Sequence, residues 1–166
     1  LLYGMEAYGL AQRLGIDRSD AQRHIDEYFD RFPDVRAFMA GIVDKARSTG
    51  YTTTLLGRRR YLPELHSRSV RERQMGERMA LNAPIQGSAA DIIKKAMIEL
   101  DRHLRATGSA AEMLIQIHDE LVLEVPDGEL ETVAEATTEI MGSVVDLRVP
   151  LKVSTATGVT LADTVH

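Results

Sequence analysis

The chain has 166 residues, 44% of them hydrophobic, which is enough for one ordinary domain with an apolar core. It contains no Cys, which excludes disulfides and thiolate metal sites and suits a reducing, cytoplasmic setting; no charge-free apolar run reaches the roughly 18 residues of a membrane-spanning helix. The net charge of -5 argues against a generic basic nucleic-acid binder, but the charge is segregated: from Lys45 to Arg78 nine Lys or Arg stand against three acids, a net of +6, while Ala111 to Asp146 carries ten acids and no Lys or Arg. The first stretch suits phosphates and the second suits cations, with two solvated faces as the alternative. The sequence opens on Leu1-Leu2-Tyr3-Gly4 rather than on Met and is expected to be a piece of a larger protein.

In chain order, Asp17 with Asp20 three residues on resembles a capping box, and Ala21, Ile25, Tyr28, Phe29 and Phe32 recur at helical spacing, so 17–32 is expected to be a helix. Pro33 suits a first helical position, Phe38, Ile42 and Ala46 continue one face, and Gly50 stands where that second helix would stop. Tyr51 to Leu55 is rich in β-branched residues; Gly57 punctuates it, and Arg60-Tyr61-Leu62 returns as the second arm of a hairpin that Pro63 ends. A charged helix follows from Val70 to Leu81, and after Pro84 a long one runs to Gly108 with Ala89, Ile93, Ala96, Met97, Leu100 and Leu104 on one stripe. Met113 to Ile117 and Leu121 to Val125 read as two strands joined by a tight turn. A helix from Asp127 to Val144 and a last strand near Leu151 to Thr155 complete the order. The fold class is therefore α+β, with helices covering one face of a small antiparallel sheet.

Three polar groups carry candidate chemistry. His118-Asp119-Glu120 places two adjacent carboxylates at a hairpin tip whose apolar arms are expected to be buried. Mg2+ prefers hard oxygen donors and takes few protein carboxylates, so this tip suits a metal platform, with a plain exposed turn as the alternative. Arg78, Asn82 and Gln86, at i, i+4 and i+8, align a cation and two amides along a helical face that Pro84 is expected to interrupt. Such groups read base edges or sugar oxygens in a groove, or form a polar outer face. Arg58, Arg59 and Arg60 on the first hairpin suit a phosphate clamp or a solvated loop. His24, His66, His103 and His166 have no metal-ligand spacing, and the methionines read as core filler.

The run from Leu81 to Lys94, Leu-Asn-Ala-Pro-Ile-Gln-Gly-Ser-Ala-Ala-Asp-Ile-Ile-Lys, followed by Gln116-Ile117-His118-Asp119-Glu120-Leu121-Val122, closely resembles the family A DNA polymerases. Tyr3-Gly4-Met5 is similar to the tail of that family's fingers helix, Leu56 to Pro63 to its hairpin, and Val149-Pro150-Leu151 to its terminal palm strand. The resemblance implies a fingers portion over 1–81 and a palm portion over 82–166. It also implies template-directed transfer from a dNTP to a primer 3′ end, in DNA replication and repair, with two Mg2+ ions in the complete site. Residue by residue, it places Asp119 and Glu120 at the metals and His118 near the primer terminus. Arg78, Asn82 and Gln86 fall at positions touching primer and template in the minor groove, and Tyr3 beside the templating base. Primer-template DNA and dNTP are the implied partners of a monomer without membrane attachment. The motif A aspartate and the fingers-helix Arg and Lys find no match, so the chain alone is expected to be inactive. Glu6 stands where the family pattern has a capping Ser, and Val159-Thr160-Leu161 replaces a Gly-acidic-Trp ending. A single-subunit RNA polymerase relative and a non-catalytic DNA-binding module are the competing readings.

Overall fold

The computed structural model describes residues 4–164, in two compact units, one ending at Ser88 and the next beginning at Ala89. In the first, α1 (Ala7–Leu14) and α2 (Arg18–Arg31) pack through Ala7, Ala11, Ala21 and Ile25, with Leu10, Ile16 and Phe29 around them. Small alanines let the two helices approach, and Gly15 in the left-handed region ends α1 with its N–H on the Ala11 carbonyl. Asp17 precedes α2 in extended conformation, as a cap does, but its side chain bonds no backbone N–H, so the expected capping box is absent. Glu6 likewise precedes α1 without a side-chain cap.

Helix α3 (Pro33–Thr49) starts on Pro33 and ends at Gly50, whose φ of 78° and N–H bond to the Ala46 carbonyl at 2.8 Å make the expected stop. The chain turns at once into β1 (Tyr51–Thr53), which pairs antiparallel with β2 (Arg59–Tyr61), Tyr51 opposite Tyr61. A short 3-10 turn over Pro63–His66 leads to α4 (Val70–Thr107). Ala46, Leu62, Leu65 and Ala80 form the core here, with Ile42 and Met79 against it. Gly76 permits this packing: a Cβ there would stand 3.0 Å from the Leu65 backbone nitrogen.

Where the sequence predicts two helices broken at Pro84, α4 is one helix of 38 residues with Pro84 inside it. A proline in a helix interior costs about 3 kcal/mol through a lost N–H and a ring clash. The local preference loses because Ala80, Leu81 and Ala83 are buried just before it and because the Ser88 hydroxyl donates to the Pro84 carbonyl just after it.

In the second unit, Leu100 and Leu104 of α4 join Ala111 and Val133 in a core that also takes Met113, Leu121, Leu123, Val125 and Ile140. These come from β3 (Glu112–Ile117), β4 (Glu120–Glu124) and α5 (Leu130–Ser143), the last preceded by a 3-10 turn over Asp127–Glu129. The Lys95 ammonium caps the end of α5, donating to the Val144 carbonyl at 2.7 Å. Glu129 ties the α4–β3 connection, accepting from the Ser109 hydroxyl and the Ala110 N–H.

The expected last strand over Leu151 to Thr155 is absent: this segment has no regular structure, and each described sheet has two strands. Leu151 and Val153 are half-buried with Lys152 exposed between them, the alternation that suggested a strand. The segment lies against α5, however, its Leu151 carbonyl 3.6 Å from where a Cβ on Gly142 would stand, and no ladder partner meets it. Among the described residues no helix is long and apolar enough to cross a membrane.

Candidate functional site

The β3–β4 hairpin closes on His118 and Asp119, since Ile117 pairs with Glu120. His118 has φ 55°, alone among the described non-glycine residues in taking a positive value. Two-residue hairpins require positive φ at the first central position to match strand twist, and a side chain there carries strain. The Gln116 side-chain amide holds the turn by donating to the His118 carbonyl at 2.9 Å. His118, Asp119 and Glu120 are all exposed, so both carboxylates face solvent.

The arms are not buried as expected. Leu121 and Leu123 pack on the core, but Leu114, Ile115 and Ile117 are exposed, because helices cover one side of this two-stranded sheet only. A register shift between Met113 and Ile115 adds a bulge beside them.

Among the described residues no group of three or more His, Cys, Asp or Glu is placed to hold a metal ion. The turn thus offers its ligands as one adjacent pair of hard oxygen donors. That set fits Mg2+, which keeps most of its shell for water and phosphate, and does not fit a soft metal that needs a closed cage of protein ligands.

In the first unit, Arg78, Asn82 and Gln86 share the unbroken α4, so the face that Pro84 was expected to interrupt is continuous. Arg78 and Gln86 are exposed, and the Arg78 guanidinium lies 3.9 Å from the Glu6 carboxylate, a loose surface pair of little energetic value. Asn82 differs: its Oδ1 is buried without a hydrogen-bond partner. An unsatisfied buried acceptor costs about 1–3 kcal/mol and calls for an explanation.

The three arginines of the hairpin have distinct surroundings. Arg58 donates from Nη2 to the Gly87 carbonyl at 3.1 Å. Arg59 lies over the Tyr51 ring, 4.7 Å from its centroid, and its pKa is raised by hydrogen bonding to Tyr61 and by the charge of Tyr51 and Tyr61. Arg60 is exposed on β2. Tyr3 lies outside the described residues. Sequence reading gave no separate role to Gln116, Gly87 and Ser88; each acts through one or two specific contacts, which leave no periodic signal.

The family model for DNA polymerase family A matches residues 1–163. The chain belongs to DNA polymerase family A. Its relatives include the DNA polymerase I of Bacillus caldotenax, 51% identical over 98% of this chain and 19% of that protein. That of Mycobacterium tuberculosis is 51% identical over 95% of this chain and 18% of its own length. Among solved structures, the POL domain of Pol1 from M. smegmatis, in complex with DNA primer-template and dNTP, superposes with a TM-score of 0.89 at 52% identity, covering 92% of this chain and 27% of that one. The chain thus spans about a fifth of the length of the curated family A relatives it matches. Its mixed architecture, dominated by helices with two small antiparallel sheets, agrees with a family A polymerase fragment.

Proposed function

We propose that the protein containing this chain is a DNA-directed DNA polymerase that adds nucleotides from dNTPs to a primer 3′ end, with residues 1–81 in its fingers and 82–166 in its palm. The observation that carries the reading is the exposed acid pair of Asp119, on a two-residue turn with strained backbone, and Glu120, the first residue of the strand that leaves it, in a chain of this family. Support for the partners comes from the M. smegmatis relative, which binds primer-template DNA and dNTP.

Asp119 and Glu120 would hold the Mg2+ ions, with the Gln116 bond to the His118 carbonyl steadying the turn beside them. Two ions, when bound, supply the Lewis acidity that lowers the pKa of the primer hydroxyl and neutralises the leaving pyrophosphate. His118 would orient the primer terminus, and Tyr3 would stack near the templating base. Arg78, Asn82 and Gln86 would test the minor groove, where correct pairs present nearly the same acceptors, so that geometry is checked without sequence preference. Arg60 would meet backbone phosphate.

The test is primer extension by the full-length polymerase carrying Asp119→Asn, with Mg2+ and a paired primer-template. Loss of the several kcal/mol that bound metals supply predicts a fall in kcat on the order of 10³-fold, with duplex binding retained. Wild-type kcat in that variant sinks the reading. The 166-residue chain by itself, in which the motif A aspartate and the fingers-helix Arg and Lys of the family find no match, is proposed not to extend a primer.

A further inference from the structure

Resting on the DNA-synthesis reading, we propose that the β1–β2 hairpin is a latch on α4 and that Arg58 and Ser88 are positioning residues that set the aim of Gln86. Three contacts close the latch within two residues of α4. The Leu55 N–H donates to the Ser88 hydroxyl oxygen at 2.7 Å, and that hydroxyl in turn donates to the Pro84 carbonyl. Arg58 reaches over to the Gly87 carbonyl, while its own backbone is fixed by the Thr54 hydroxyl at 3.0 Å and by the Thr54 N–H bond to the Arg58 carbonyl at 2.9 Å. Gly87 makes the approach possible, since a Cβ there would stand 2.7 Å from the Thr54 methyl.

The location gives these contacts their consequence. Pro84 removes the N–H that would bond the Ala80 carbonyl, so the turn from 80 to 84 has less internal restraint than its neighbours. Gln86 lies just past that turn, directly before Gly87. Each residue of helix subtends about 100°, so a small unwinding at Pro84 would swing the Gln86 amide off its face. The latch supplies from outside the restraint that the proline withdraws. The cavity between hairpin and helix, whose lining includes Thr52, Arg58, Arg59, Arg60, Ala83 and Gln86, measures about 70 Å³, room for a couple of waters rather than a nucleotide. It is a joint between two elements, and Arg58 serves the joint rather than a phosphate.

The experiment is a double-mutant cycle in the full-length polymerase, reading kcat/KM for primer extension and duplex-DNA Kd against salt. Ser88→Ala and Arg58→Ala should each lower kcat/KM by roughly 10-fold, the size expected from misplacing a group without removing it. In a Gln86→Ala background the same changes should cost less than about twofold, because the residue they aim is gone. Ser88→Thr, which keeps the hydroxyl, should restore most of the loss. The salt slope should stay unchanged in Arg58→Ala and become shallower in Arg60→Ala. Additive losses, or a shallower salt slope in Arg58→Ala, overturn the latch while leaving the polymerase reading intact. A Gln86→Ala enzyme that extends primers at the wild-type rate overturns the minor-groove role itself, and the latch with it. Ser88→Ala changes one oxygen, so if Arg58→Ala fails to fold, the Ser88 pair still decides the matter.

Discussion

The loop of the first hairpin is bonded to α4 through Leu55 and Arg58, whereas the turn of the second is bonded only to its own strand, through Gln116, and leaves Asp119 and Glu120 exposed. Both are two-stranded and antiparallel, but the loop of the first carries the exposed Leu55 and Leu56 while the second turns on His118 and Asp119. They differ in what lies behind the strands. β1–β2 has three-residue arms with one buried residue, Thr52, and depends on polar ties. β3–β4 is longer and rests Met113, Leu121 and Leu123 on the Leu100 core. A hairpin with an apolar backing can leave its tip free to meet a ligand, while one without such backing is held by its tip.

That contrast breaks most directly at the apolar backing. Leu100 is fully buried, so Leu100→Ala should destabilise by about 2–5 kcal/mol, seen as a lower denaturation midpoint and as lost hydrogen-exchange protection in β3, β4 and α5, with β1–β2 unaffected. A smaller effect is expected at the turn. Gln116→Ala removes one side-chain bond to the His118 carbonyl, worth about 1 kcal/mol, and should appear as faster amide exchange at 118–120 and a higher Mg2+ requirement for extension. Unchanged Mg2+ dependence would mean that the strands alone fix the turn. The smallest effect concerns a loop that belongs to neither hairpin. The Asp163 carboxyl is held below its ordinary range by hydrogen bonds from the Thr160 hydroxyl and backbone N–H, both at 2.8 Å. A depressed folded pKa means support that is present above the unfolded value and lost as pH falls through the folded one. An NMR titration of Asp163 should show that acid shift, and Thr160→Val should abolish the hydroxyl part of it.

Much of this contrast was legible in the sequence. Pro33 and Gly50 bracketed α3 because proline fixes φ at a helix start and glycine alone takes the left-handed stop cheaply. The β-branched runs and the His118-Asp119-Glu120 triplet located both hairpins, though the second turn is one residue shorter than that triplet because Glu120 already pairs with Ile117. What stayed hidden depends on partners distant in the chain. Pro84 reads locally as a break, and only the burial around Ala80 and the contact between Ser88 and Leu55, 33 residues apart, carries the helix through it. The alternation at Leu151 to Val153 reads as a strand because periodicity reports facing, not whether a ladder partner exists. Arg58, Arg59 and Arg60 look equivalent in the sequence, and their neighbours Gly87 and Tyr51 distinguish them. The Gly87-Ser88 pair, three residues after a helical proline, was the available sign of a close approach.

One residue at the foot of the first hairpin limits how this region can vary in length. Gly50 donates its N–H to the Ala46 carbonyl at the end of α3, and its own carbonyl accepts from the Leu62 N–H at 2.9 Å, so a single residue stitches the helix to the far arm. An insertion or deletion of one codon at this corner would shift β1 against β2, turn Thr52 from inside to outside and carry the three arginines with it. A frame-preserving indel should therefore cost more stability here than in a connection without such a stitch.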